Sequence, residues 1–241
     1  MSERGTPPPP PEKHHRNIQG GAARAAVFGV SDGLVSNVAI VLGFAGADPR
    51  PGLVRLAGVV GLIGGAVSMA AGEYVSMRAQ AELLERELEM ERLELRRRPE
   101  TERVELADIY RSRGVDSATA EELATQLMRD PEVALETHAR EELGIDPSEL
   151  GSPVAASVSS FLAFSIGAIV PLAPWFIGGG TGAIVASIVV GMLAALAVGA
   201  ALARFTGRRT APSALRQLGL SAAPAAITYA LGSAAGISGL A

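Results

Sequence analysis

The sequence predicts an all-α membrane protein with five transmembrane helices and an acidic helical insert between spans 2 and 3. Three observations predict it. The 241 residues are 48% hydrophobic and only 19% charged. From Pro153 to Ala203 there is no Asp, Glu, Lys or Arg, a run far longer than the ~20 apolar residues that cross a bilayer. A soluble domain cannot leave its solvent face without charge over such a length. Between Arg78 and Leu150, by contrast, 16 Glu and 4 Asp stand against 11 Arg, a net charge of −9.

Each element follows in order. Residues 1–21 read as a flexible cytosolic tail, because the run Pro7 to Pro11 and charges of both signs replace the apolar core of a secretory signal. Span 1 is predicted from Ala22 to Ala47 and span 2 from Leu53 to Met77, separated by Asp48-Pro49-Arg50-Pro51-Gly52; together they form the unit 22–77. From Glu73 to Arg98 no Gly or Pro interrupts a series of strong helix formers, so one helix is predicted from Leu53 to Arg98. Its last turns leave the membrane and open the insert, 78–150. Pro99 ends or kinks that helix. Three shorter helices are predicted over Thr101–Arg113, Ser117–Arg129 and Pro131–Leu143, with Asp116 and Asp130 as start signals and Gly114 and Gly144 as stops. The unit 151–241 holds the last three spans, Val154–Ile177, Thr181–Ala203 and Ser213–Leu240. Lys13, Arg16 and Arg24 precede or open span 1, and Arg204, Arg208 and Arg209 join spans 4 and 5. The positive-inside rule therefore puts the amino terminus, the insert and the 204–212 loop in the cytosol.

Composition excludes other classes. The absence of Cys removes disulfides, thiolate metal ligands and a Cys nucleophile. A net charge of −4 gives no basic surface for nucleic acid, leaving the lipid bilayer and cations as the expected partners. Lys13 is the only lysine beside 20 arginines. We read that bias as genomic, which favours a bacterial plasma membrane.

Few ionisable groups stand inside the spans. Arg24, Arg55 and Arg216 lie near span ends, from which long side chains snorkel to the interface. Asp32 lies about ten residues into span 1, where a lone carboxylate is costly and marks an ion path or a buried pairing. In span 2, Gly61, Gly65, Met69, Glu73 and Met77 recur every fourth residue and share one helix stripe. The glycines permit close helix approach, and carboxylate with thioether suits a first-row transition metal. Gly29 and Gly33 give span 1 a G-x-x-x-G face, expected to join two protomers as a homodimer.

The stretches GVSDGLVSNVAIVLGFAGA (Gly29 to Ala47) and GGAVSMAAGEYVSMRAQ (Gly64 to Gln80) resemble the vacuolar iron transporter family. The resemblance covers nearly everything after Arg24. It implies five spans, a cytosolic metal-binding insert between the second and third, and a homodimer that exports Fe²⁺, often also Mn²⁺, from the cytosol by proton antiport. It also implies that Asp32 and Met69 are residues of the transmembrane path; Glu73, on the same span 2 stripe as Met69, is expected to join them.

In the insert, Glu91 and Glu94 form one E-x-x-E pair and Glu102 and Glu105 a second, each at a spacing that shares a helix face. The stretch ETHAREELG resembles the family segment that holds two methionines and a glutamate. By that match His138 and Ala139 stand at the methionine positions and Glu142 at the carboxylate position. Imidazole remains a good ligand for Fe²⁺ or Zn²⁺. The expected ions are thus Fe²⁺ and Mn²⁺, with Co²⁺ and Zn²⁺ as further occupants, and no resident cofactor. Two other functions compete. A membrane metal sensor or scaffold would bind ions and move none. A ferritin-like di-iron oxidase would need E-x-x-H on facing helices, and Leu135 stands where that motif requires Glu before His138. The chain is therefore expected not to be an enzyme.

Overall fold

The computed structural model describes residues 21–48, 50–144 and 151–237. The tail expected over 1–21 therefore lies outside the described residues except for Gly21. The described chain is helical throughout and contains no strand. Its elements are α1 (Gly21–Ala47), α2 (Pro51–Arg97), α3 (Pro99–Ser112), α4 (Ser117–Leu127), α5 (Pro131–Glu141), α6 (Pro153–Leu172), α7 (Pro174–Ile177), α8 (Gly180–Thr206) and α9 (Thr210–Ile237). Five of these, α1, α2, α6, α8 and α9, are long and apolar enough to cross a membrane.

The long second helix is continuous, as the uninterrupted run of helix formers requires. Its 47 residues span about 70 Å, of which the part after Met77 carries roughly 30 Å beyond the apolar segment. Pro99 does not merely stop it. Arg98 leaves helical geometry, and Pro99 then opens α3 at the first helical position, where its missing N–H costs nothing. Asp116 caps α4 by accepting from the Thr119 N–H at 3.1 Å. Asp130 caps α5 by accepting from the Glu132 and Val133 N–H groups at 2.9 and 3.3 Å. Gly114 and Gly144 follow α3 and α5 with φ of +94° and +67°, the left-handed conformation that favours glycine.

The third span differs from its predicted extent. Helix α6 ends at Leu172, and α7 starts anew at Pro174. A proline at 174 cannot donate to the carbonyl one turn back, so the ladder breaks there. The break is held through Ser187 of the next span, which donates to the Pro171 carbonyl at 2.7 Å and accepts from Nε1 of buried Trp175 at 3.0 Å. Span 4 runs past its predicted end to Thr206, where Gly207 at φ +65° reverses the chain. The fifth starts three residues early at Thr210; Pro212 falls in its first turn, where no N–H is needed.

Helix α1 is the hub. It packs most extensively on α6 and also meets α9, α2 and α8. Here an expectation is corrected. Gly29 and Gly33 do not form a free face for a second protomer; they seat α1 on α6 of the same chain. A Cβ on Gly33 would collide with the Phe164 carbonyl oxygen, and one on Gly167 with the Val30 carbonyl. The small-residue motif reports close helix approach, and span 3 supplies the neighbour within the protomer. On α2, Gly65 lies under the Phe164 ring and Gly61 under Ile40 and Asn37. The other face of α2, with Leu56, Val60, Ile63 and Val67, is exposed in the protomer.

Gly33→Val and Gly167→Val should therefore lower the thermal midpoint in detergent, by overpacking of about 1–3 kcal/mol each. Gly72→Ala, whose added methyl meets nothing within 4 Å, should leave the midpoint unchanged or raise it slightly.

Candidate metal centre

Two small apolar clusters build the insert. Leu88, Leu135 and Ala139, with Leu95 at their edge, bind the outer half of α2 to α5. Leu106, Ala107 and Ala124, with Tyr110 and Leu127, bind α3 to α4. Glu141 joins the two: Arg113 pairs with its carboxylate, and Tyr110 donates its hydroxyl to Oε1 at 3.5 Å. The spacing then decides what lies in the seam. Glu91 follows Leu88 by three residues, and His138 follows Leu135 by three, so both polar side chains fall on the buried faces of their helices.

Their burial is nearly complete. Glu91 is 3% exposed and His138 0%. His138 Nδ1 lies 3.2 Å from Glu91 Oε1 and 3.6 Å from Glu142 Oε2. Ligand atoms of all three residues lie within 4.8 Å of one another. Yet among the described residues Glu91 Oε1 and both ring nitrogens of His138 have no well-formed hydrogen bond. Burying such groups unpaired costs several kcal/mol. A divalent ion with bonds of ~2.0–2.2 Å could take one ligand atom from each of Glu91, His138 and Glu142, since opposed ligands of one ion stand about 4 Å apart.

The remaining carboxylates surround this trio without joining it. Glu102 is 5% exposed, whereas Glu94 and Glu105 are exposed. Each E-x-x-E pair thus has one inward and one outward member. Burial, and then the negative charges of Glu142, Glu102, Glu94 and Glu105, push the Glu91 carboxyl up from 4.5 to about 7. Burial and the neighbouring Glu105, Glu94 and Glu142 also raise Glu102, with Arg98 opposing. The charge of the surrounding carboxylates thus bears on both buried members, Glu91 and Glu102. Leu135, packed in the apolar seam, offers no ligand, which leaves the E-x-x-H pattern of di-iron oxidases unfilled.

The span residues lie apart from this cluster. Asp32 is exposed on the protomer and accepts from Ser36 Oγ at 3.2 Å. Met69 is half-buried against Ala66, Phe164 and Ala168. Glu73, one turn nearer the insert, pairs with Arg24 of α1 at 3.1 Å. Sequence reasoning had Arg24 snorkelling to the interface and missed this pair. The available signal was the scarcity of charge, with two basic and two acidic groups over the first two spans. Asn37 was also missed: it is fully buried and donates Nδ2 to the Ala168 carbonyl at 2.6 Å.

A family model for the VIT family matches residues 23–233. The chain belongs to the VIT family. Among its relatives, a protein of Oryza sativa subsp. japonica named vacuolar iron transporter 1 is 31% identical over 216 residues, covering 89% of this chain and 86% of that protein. A second from the same plant, vacuolar iron transporter 2, is 32% identical over 216 residues, 89% and 88% of the two chains. The vacuolar iron transporter of Acanthamoeba castellanii is 42% identical over 152 residues, which is 63% of this chain and 54% of that one. VIT family membership supports metal ion transport by a multi-pass membrane protein, and not enzymatic turnover. These relatives are eukaryotic and named for the vacuole, so they lend no support to the bacterial plasma membrane expected from the arginine bias.

The raised Glu91 carboxyl sets a pH dependence. Between 4.5 and about 7 the folded protein holds a proton that the unfolded chain has lost. Its contribution to stability is complete below 4.5 and is lost as pH rises through about 7. The thermal midpoint of metal-free protein should therefore fall over that window, and Glu91→Gln should flatten the fall. Added Mn²⁺ should raise the midpoint more at the alkaline end, because the ion competes with the proton.

Proposed function

We propose that the chain exports Fe²⁺ and Mn²⁺ from the cytosol by proton antiport, as a homodimer whose insert lies on the cytosolic side. One observation carries the reading: buried Glu91, which meets His138 and Glu142 of the α5 segment in one potential ligand set, stands on the same unbroken helix as Met69 and Glu73. Ion capture and the membrane path thus share one rod. The arginines of the α8–α9 link support a cytosolic insert. The direction is the same whether the receiving side is a vacuole or the exterior of a bacterial cell.

Asp32 supports both the proton and the dimer. A carboxylate in hydrocarbon holds a cation in one half of the cycle and a proton in the other. Its exposure on the protomer surface would leave it facing lipid alone, and a second copy covers it. Nitrogen and oxygen ligands at His138 and Glu142 also admit Co²⁺ and Zn²⁺. A sensor that binds and moves nothing remains the competing reading, and transport by purified protein in liposomes decides between them.

Asp32→Asn should slow Mn²⁺ and Fe²⁺ transport at least roughly tenfold while metal binding by the insert persists. Met69→Ala should slow it less and change the Fe²⁺/Mn²⁺ rate ratio. Joint replacement of Glu91, Glu94, Glu102 and Glu105 by Ala should abolish most binding seen by calorimetry. His138→Leu should weaken Co²⁺ and Zn²⁺ more than Mn²⁺, following ligand preference. Normal transport by all the Asp32 and Met69 variants would overturn the path.

A further inference from the structure

Among the ion pairs of the described residues, Arg24–Glu73 is the one that joins two spans. Glu73 lies on the α2 stripe with Met69 one turn deeper and Met77 one turn toward the insert. Met77 is buried in an apolar cluster with Ala25 and Ala156. The carboxylate itself is only 17% exposed, so little water reaches it, whereas Arg24 keeps 51% of its side chain exposed. Among the described residues the guanidinium makes a single side-chain hydrogen bond, Nη2 to Oε1 at 3.1 Å. That end-on contact is much weaker than the bidentate fork of which Arg is capable.

We propose that Arg24 is a tethered cation that occupies Glu73 until a divalent ion displaces it, and so sets the charge selectivity and the concentration threshold of the path. The inference rests on the transport reading above. Arg cannot lose its charge at accessible pH, so it vacates the carboxylate only by moving, and its half-exposed stem lets it swing into water. A compact divalent ion gains about twice the Coulomb energy of a monovalent one at the same oxygen. The divalent ion therefore displaces the guanidinium where Na⁺ or K⁺ does not. Arg24 thus acts as a specificity-determining residue, with Glu73 as the ligand it guards.

The chain has no cysteine, which permits a chemical test on full-length protein in liposomes with Mn²⁺ as the probe. Arg24→Gln should lower the KM for Mn²⁺ about three- to tenfold with a smaller change in kcat, and should admit a K⁺ leak. Arg24→Lys should stay close to the wild type. Arg24→Cys should behave like Arg24→Gln. Modifying its thiol with aminoethyl methanethiosulfonate, which restores a tethered cation, should return KM to within about twofold of wild type. The neutral ethyl reagent should not. If the cationic and neutral reagents give the same KM, or if a folded Arg24→Gln protein has an unchanged or raised KM, Arg24 is a structural anchor and the proposal is overturned. A wild-type protein that moves no Mn²⁺ in the same vesicles overturns the transport reading itself, and the proposal with it.

Discussion

The close seating of α1 on α6 is the contact on which the rest of the membrane part depends. In lipid there is no hydrophobic drive between helices, so association rests on packing and a few hydrogen bonds. Gly29 and Gly33 on one helix and Gly167 on the other bring two backbones to a separation that no side chain could share. With α1 held there, Asn37 reaches the Ala168 carbonyl, Gln217 of α9 reaches Ser31 at 2.7 Å, and Thr228 reaches the Ala39 carbonyl at 2.7 Å. Each bond ties a neighbour to the hub. The same seating leaves Asp32, one residue before Gly33, on the outer side of the protomer.

A second constraint is the continuity of α2. A helix that spans the bilayer and runs on into water transmits the position of one end to the other, because its hydrogen-bond ladder has no break before Arg98. Glu91 and Glu94 are therefore held at a fixed rotation relative to the Met69–Glu73 stripe. The insert itself is small, and its apolar seams hold only a few side chains. Such a core would gain stability from an apolar residue at Glu91 or His138. Instead it buries a carboxylate against an imidazole, 3.2 Å apart, without a well-formed hydrogen bond among the described residues. That arrangement is costly as a fold and sensible as a ligand set, because a divalent ion replaces the missing hydrogen bonds.

Much was legible from the order of residues alone. The absence of charge over 153–203 required membrane spans, because hydrocarbon excludes ionised groups. Proline, glycine and aspartate placed the insert's helix ends within one or two residues, because caps and left-handed turns are local chemistry. Spacing singled out Glu91 with Glu94 and Glu102 with Glu105 as candidate ligands, and the resemblance of ETHAREELG added His138 and Glu142. What the order of residues could not decide was which groups meet. A G-x-x-x-G face announces close approach without naming the neighbour, and the neighbour proved to be α6 of the same chain. An E-x-x-E pair shares a helix face, but only the packing of α5 on α2 turns Glu91 inward and leaves Glu94 outside. The Arg24–Glu73 pair joins residues 49 positions apart, and no local periodicity carries that information. Periodicity and capping act within a few residues, whereas burial, ion pairing and ligand convergence depend on helices brought together from distant parts of the chain.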